Sequence, residues 1–327
     1  MVVSSSPHLK SRDTTRGIML DVIIALVPAA IASCVLFGYR AALLIAVCVA
    51  SCVGFEFLSN KVMKKPVSVG DLSAVVTGVL LAFNLPSSLP LWMAVIGSAA
   101  AIIVVKQFFG GLGQNFVNPA LVGRIVLMVS FPSQMSNWPI PLSNKVDAVT
   151  SATPMASLGQ IYKEGITSDS FGAGMPTLLE MFIGHRQGCI GEVCAAALLL
   201  GGLYLIVRRV ISPIIPFTYI GTVAVIMLIA GKGNMQFLAY ELLGGGLILG
   251  AFFMATDYVT SPITKKGKVV FAIGCGIITA AIRLFGSLPE GVSFSIIIMN
   301  ILVPQIEKLT ASKPFGFIKE KKKGDAK

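Results

Sequence analysis

A short run of hydroxyl-bearing and small residues near the middle of the chain is where this sequence could do covalent chemistry. In VDAVTSATPMASLG, the residues Asp147, Thr150, Ser151, Ala152 and Thr153 stand close together, and Pro154 follows. A threonine that is to carry a phosphoester needs an exposed hydroxyl and small neighbours that admit a transferring enzyme. It also gains from a nearby acidic group that holds a metal or orients the turn. Pro154 disfavours the α region at Thr153 and sets that residue in extended or turn geometry. The run permits attachment of a phosphate-bearing group at Thr153, but alone it reads as easily as a loop that turns or caps a helix.

Two further stretches hold polar groups where a helix cannot run continuously. Asn115, Asn118 and Pro119 lie in a glycine-rich break, and Thr256, Asp257, Thr260, Ser261 and Pro262 form a comparable one. Freed backbone groups and amides at such breaks can hydrogen-bond a ligand, and a plain Asn–Pro turn is the alternative. Arg124 falls inside an apolar stretch, where a charge is costly and is usually paired; a carboxylate or another subunit is the expected partner. Asp21, Glu56, Asp71, Glu192, Glu241, Asp257 and Glu290 all fall near predicted helix ends, where solvation is the expected state, so no deep ion ligand is named. The six cysteines include no C-x-x-C pair and have no nearby histidine, so no zinc or iron–sulfur site is written here. Cys48 and Cys52 share a helix face and are expected to pack; Cys189 and Cys194 flank a boundary, but spacing alone does not make a bridge.

The elements that must position these residues are membrane spans. The chain is 55% hydrophobic and only 13% charged, with 33 glycines, a composition outside the range of soluble domains. Windows of mostly apolar residues, each roughly 17 to 21 long, recur along it and suffice to cross a bilayer. Ten are predicted: Ile18 to Phe37, Ala41 to Leu58, Leu72 to Leu85, Leu89 to Phe109, Pro119 to Phe131, Val193 to Val210, Ile214 to Ala230, Leu238 to Ala255, Val269 to Phe285 and Val292 to Val303. The third, fifth and tenth are short. The polar, basic amino terminus lacks a small-residue cleavage site after the first apolar stretch, so that stretch is expected to be an anchor.

The net charge of +11 invites a nucleic-acid partner until the basic residues are placed on this topology. With the amino terminus in the cytoplasm, Lys and Arg gather on the inner side and thin out on the outer, so both ends are expected inside and the excess is topological. No nucleic-acid partner is expected. The expected organisation is therefore an all-α polytopic membrane protein. Residues 1–131 form a first five-helix unit, 132–191 an extracytoplasmic loop carrying Thr153, 192–309 a second five-helix unit, and 310–327 a basic cytoplasmic tail. A loop of such length is usually functional.

FFGGLGQNFVNPALVGRIVL, from Phe108, is similar to LFGSLPEGVSFSIIIMNILV, from Leu284, pairing Phe109, Gly110 and Leu112 with Phe285, Gly286 and Leu288. Each copy follows the fourth span of its half, and five spans is an odd number, so the halves are expected to be inverted repeats. That architecture gathers binding sites at broken helices.

The run from Asp147 to Thr153 fits the pattern that extracytoplasmic flavin transferases recognise: an acidic residue, two variable positions, a hydroxyl residue, a small residue, Ala and Thr. Together with SSPHLKSRDTTRGIMLDVIIALVPA, GGLGQNFVNPALVGR and FFMATDYVTSPITKKGK, it resembles the family shared by the D subunit of Rnf complexes and the B subunit of sodium-pumping quinone reductases. The short stretch before the first span favours the Rnf side. The resemblance implies a covalent FMN phosphoester at Thr153 and a noncovalent riboflavin within the bilayer, with Asn115 and Asn118 as one wall. His185 and Arg186 are the expected phosphate neighbours. It also implies a cell-membrane complex that couples ferredoxin:NAD oxidoreduction to Na+ or H+ translocation, in which the other membrane, flavin-bearing and iron–sulfur subunits are partners and nucleotide and ferredoxin sites lie elsewhere. The rival expectations are a quinone-reductase B subunit and a flavin-free channel or transporter built on the same repeat.

Overall fold

A computed structural model describes residues 14–65, 68–141, 153–164, 175–286 and 291–311. The helices are α1 (Thr15–Phe37), α2 (Tyr39–Val62), α3 (Ser73–Phe83), α4 (Leu91–Gln107), α5 (Pro119–Ser130), α6 (Pro132–Met135), α7 (Pro154–Glu164), α8 (Leu178–Ile183), α9 (Ala195–Val207), α10 (Ile214–Ala230), α11 (Met235–Leu243), α12 (Leu247–Met254), α13 (Lys265–Phe285) and α14 (Val292–Thr310).

α1 begins at Thr14, whose hydroxyl accepts the Gly17 N–H at 3.1 Å, and runs through Pro28. It buries Ala25, Leu26, Ala29 and Leu36 but exposes Leu20, Ile24, Val27, Ile31 and Val35. A helix apolar on its exposed face as well as its buried one is solvated by lipid. Four helices, α1, α2, α13 and α14, are long and apolar enough to cross a membrane, and α11 and α12 pass together, bent by 61°. The protein is a multi-pass membrane protein. The remaining apolar helices, α3, α4, α5, α9 and α10, are shorter.

Packing follows membrane rules, with small residues letting backbones approach. α2 lies on α3, α1 on α9 and α10 on α13. A Cβ on Gly78 would come within 2.7 Å of the Val49 Cα, so the α2–α3 crossing requires glycine there.

The structure departs from the predicted spans where chemistry overrides hydropathy. The eighth window is not one helix: Gly244, Gly245 and Gly246 separate α11 from α12. The tenth does not stop at Val303 but continues through Pro304 to Thr310, because Val303 and Ile306 are buried and packing outweighs the lost hydrogen bond. The connection expected over residues 132–191 is not a plain loop either. It carries α6, α7 and α8, and from Cys189 to Val193 it is buried inside the bundle. There the N–H groups of Ile190 and Gly191 donate to the carbonyls of Leu85 and Phe83 at 3.0 and 2.9 Å. Ser33 donates to the Ile190 carbonyl at 2.7 Å. α3 stops at Phe83, and the unpaired carbonyls at its end are what this irregular segment satisfies.

Candidate functional site

Of the attachment run, Asp147, Thr150, Ser151 and Ala152 lie outside the described residues; Thr153 lies within them. It is 6% exposed and precedes α7 as its cap. Its carbonyl accepts the Ala156 N–H at 2.9 Å, and its hydroxyl accepts the same group at 3.4 Å. The exposed hydroxyl expected from the sequence is thus a buried helix cap, because Pro154 at the first helical position fixes Thr153 against the turn. α7 packs on α11 and α13, with Met155 against Gly244 and Tyr162 stacked on Phe237 at 6.5 Å.

His185 and Arg186, the expected phosphate neighbours, differ in burial. His185 is exposed, while Arg186 is 3% exposed and clamps the segment leading to α9, donating to the carbonyls of Glu192 and Val193 at 2.7 and 3.3 Å. Nearby, Thr177 and Glu180 cap α8 reciprocally; the Thr177 backbone N–H holds the Glu180 carboxyl below its ordinary value. Cys189 and Cys194 are not bridged to one another.

At the opposite end of the bundle lies a cavity open on one side. Its lining comes from the first turns of α1, α3 and α5, the last turns of α4 and α9, and the segment after α12. Asn115 and Asn118 face it, joined by Ser73, Thr77, Thr256 and Asp257; Phe252, Phe253 and Tyr258 supply aromatic wall. The two polar breaks singled out in the sequence therefore meet at one place. Asn118 does much of its work for the fold: its Oδ1 accepts the Ala120 and Leu121 N–H groups at 3.0 and 3.4 Å, and its Nδ2 donates to the Met254 carbonyl at 3.3 Å. Asn115 donates to the Val117 carbonyl at 3.3 Å. Burial raises the Asp257 carboxyl above its ordinary value, against a hydrogen bond from Thr260 at 3.1 Å.

Sequence reasoning missed Asn300. Oriented to satisfy both ends of its amide, it donates to the Thr260 and Ile296 carbonyls at 3.0 and 3.2 Å and accepts the Asn118 N–H at 3.2 Å. From α14 it ties one break to the other. A polar residue inside the last apolar window was the signal available.

The expectation that the carboxylates are solvated at helix ends is also corrected. Glu56 is 0% exposed and pairs with Lys106 at 2.9 Å; Glu241 is 3% exposed and pairs with Arg283 at 3.1 Å. Arg283 also donates to the carbonyls of Glu241 and Gly244 at 2.7 and 3.3 Å. Arg124 donates to Asn84 Oδ1 at 2.7 Å, and its Nη1 and Glu192 Oε2 lie 4.0 and 3.0 Å from where a Gly246 Cβ would stand. A polar waist therefore sits where α3 ends and the α11–α12 break crosses it.

The profile of the NQR2, RnfD, RnfE family matches residues 2–316. The chain belongs to this family. It is 49% identical to the D subunit of the Na(+)-translocating ferredoxin:NAD(+) oxidoreductase complex of Acetobacterium woodii, over 100% of this chain and 98% of that one. Against the D subunit of the proton-translocating ferredoxin:NAD(+) oxidoreductase complex of Clostridium ljungdahlii it is 43% identical, over 96% of each. A third relative, the D subunit of the ion-translocating oxidoreductase complex of Stutzerimonas stutzeri, is 36% identical over 93% of each chain. The family resemblance drawn from the motifs thus stands along the full length.

Proposed function

We propose that this protein is the D subunit of an Rnf complex, a membrane electron relay that carries FMN covalently at Thr153 and a riboflavin in the cavity. The observation that carries membership of such a complex is similarity to named D subunits over the whole chain, while the flavins rest on the motif from Asp147 to Thr153 and on the polar lining of the cavity. In this reading the complex transfers electrons between ferredoxin and NAD and moves Na+ or H+ across the cell membrane. Its other subunits hold the ferredoxin and nucleotide sites, and an extracytoplasmic flavin transferase loads Thr153.

The chain crosses ten times as two inverted five-helix units, with both ends cytoplasmic and the Thr153 loop outside. In support, the cavity lining draws on the starts of α1, α3 and α5 and the ends of α4, α9 and α12, as one face of an alternating bundle does. α7 instead packs against α11 and α13 near Arg283, at the other end. Lys106 and Arg283 form buried pairs near the ends of the fourth helix of each unit, consistent with the repeat.

Thr153 is buried at the head of α7, so the support for an attached phosphoryl group is the helix end it caps, and the support for the second flavin is the polar lining of the cavity. A flavin supplies one- and two-electron chemistry when bound. The first N–H groups of α7 and its positive dipole end favour an anionic phosphoryl group on Thr153. The cavity combines apolar walls with a few convergent polar groups, the composition of a small-molecule site. Asn115 and Asn118 orient a planar ring by its edge, Asn300 fixes the rim, and the aromatic residues exclude water.

The covalent part is tested by ultraviolet fluorescence of the denatured chain in a gel, after expression with the transferase. The wild-type band glows and Thr153→Val is dark; a dark wild-type band overturns the attachment, and a bright variant moves it elsewhere.

A further inference from the structure

Lys106 is the one Lys or Arg among the described residues lining the cavity. Its side chain is 3% exposed, and its Nζ donates to Glu56 Oε1 and Oε2 at 3.0 and 2.9 Å and to Ser73 Oγ at 2.6 Å. Glu56, 0% exposed, also accepts from the Ser68 hydroxyl at 2.7 Å, which in turn accepts from Asn60 at 3.0 Å. The Ser73 hydroxyl, besides accepting from Lys106, donates to Asp71 Oδ1 at 2.5 Å. Asp257 is the carboxylate of the facing wall.

The placement of this pair is unusual for a purely packing role. A sealed ion pair keeps both residues away from free space, whereas here Lys106 lines the cavity, Glu56 does not, and the Lys106 Nζ is 2.6 Å from the Oγ of Ser73, another lining residue. The ammonium charge is therefore shared between Glu56 and whatever enters. In a site of low dielectric that share is felt strongly, because little water screens it.

We propose that Lys106 sets the redox potential of the cavity cofactor, its ammonium stabilising the negative charge a flavin ring gains when it accepts an electron. Glu56 regulates how much of that positive charge reaches the ring. The inference rests on reading the cavity as a flavin site. The electron comes from the preceding carrier of the complex and passes to the next one, so no bond in the chain forms or breaks; only the ammonium's hydrogen bonds are redistributed. Charge beside the ring is one of the means by which a protein tunes such a cofactor.

The test is a potentiometric titration of the noncovalent flavin in the whole purified complex, followed optically, for wild type, Lys106→Gln, Lys106→Arg and Glu56→Gln. Lys106→Gln keeps a donor toward Ser73 but removes the charge, and is expected to lower the midpoint potential. Glu56→Gln removes the competing carboxylate and is expected to raise it. Each shift is expected to reach a tenfold change in the reduced-to-oxidised ratio at fixed potential, about 59 mV for a one-electron couple. Lys106→Arg stays near wild type, and the covalent flavin is unmoved in every variant. General loosening of the fold would move both variants the same way, so shifts of equal sign, or none, overturn the proposal. If Lys106→Gln loses the cofactor, Glu56→Gln decides alone, and an unchanged or lowered potential there overturns it. A wild-type complex without any noncovalent flavin sinks the cavity reading itself, a result distinct from a flavin whose potential ignores both residues.

Discussion

At the scale of single residues, the buried ion pairs are where substitution costs most. Arg283 satisfies Glu241 and also two carbonyls at the end of α11, so removing it leaves a carboxylate and backbone acceptors without their donor. Arg283→Met is expected to destabilise the protein by about 3–5 kcal/mol, with Arg283→Lys less severe, read from thermal unfolding in detergent. The pair at Thr177 and Glu180 behaves differently because it is exposed. With the Glu180 carboxyl held below its ordinary value, the cap is fully formed above the unfolded carboxylate range and is lost as pH falls through the folded value. The protection of the amides at the start of α8, taken relative to their intrinsic exchange rate, is expected to fall on acidification in wild type and to lose that pH dependence in Glu180→Gln. Neither pair was legible in the sequence. Lys106 and Arg283 fall near the ends of the fourth and ninth predicted spans, where a hydropathy window registers a charge without showing what it faces.

At the scale of elements, the breaks carry the design. Gly244 accepts Met155 of α7 so closely that a methyl group there would meet the sulfur, and it would also lie 2.7 Å from the Tyr240 carbonyl. Gly244→Ala is expected to release α7 from α11, at an overpacking cost of about 1–3 kcal/mol, with faster proteolysis between Thr153 and Glu164 as the readout. Asn300 acts across elements: Asn300→Leu removes the link between the Asn118 and Thr260 segments and is expected to lower noncovalent flavin content while leaving gel fluorescence at Thr153 intact. The sequence did mark these breaks, since Gly, Asn and Pro punctuate helices by known mechanisms. It did not show that the two polar breaks meet, which depends on how α5, α12 and α14 pack.

At the scale of the molecule, helical membrane architecture was legible from composition and apolar windows alone, because lipid leaves the backbone few other solutions. The buried end of the segment before α9 was not, since Cys189 to Val193 reads as an ordinary connection until the carbonyls of Phe83 and Leu85 are seen to need donors. Sidedness is directly testable. In a background without the accessible native thiols, Lys61→Cys is expected to react with an impermeant reagent only from the cytoplasmic side and Ser133→Cys only from outside; the reverse pattern overturns the orientation.

The brevity of α3 has an electrical consequence. At about 1.5 Å per residue its 11 residues measure about 16 Å, roughly half of a hydrocarbon layer about 30 Å thick. In the proposed topology, the cavity opens on one side and the segment from Cys189 to Val193 enters from the other, which leaves the region of Asn84, Arg124 and Glu192 as the narrow part of the barrier. In that topology the transmembrane voltage would fall across that region instead of across the full bilayer. A unit charge shifted by only a few ångströms at the waist therefore does a large part of the work of a complete crossing, about 2.3 kcal/mol for each 100 mV.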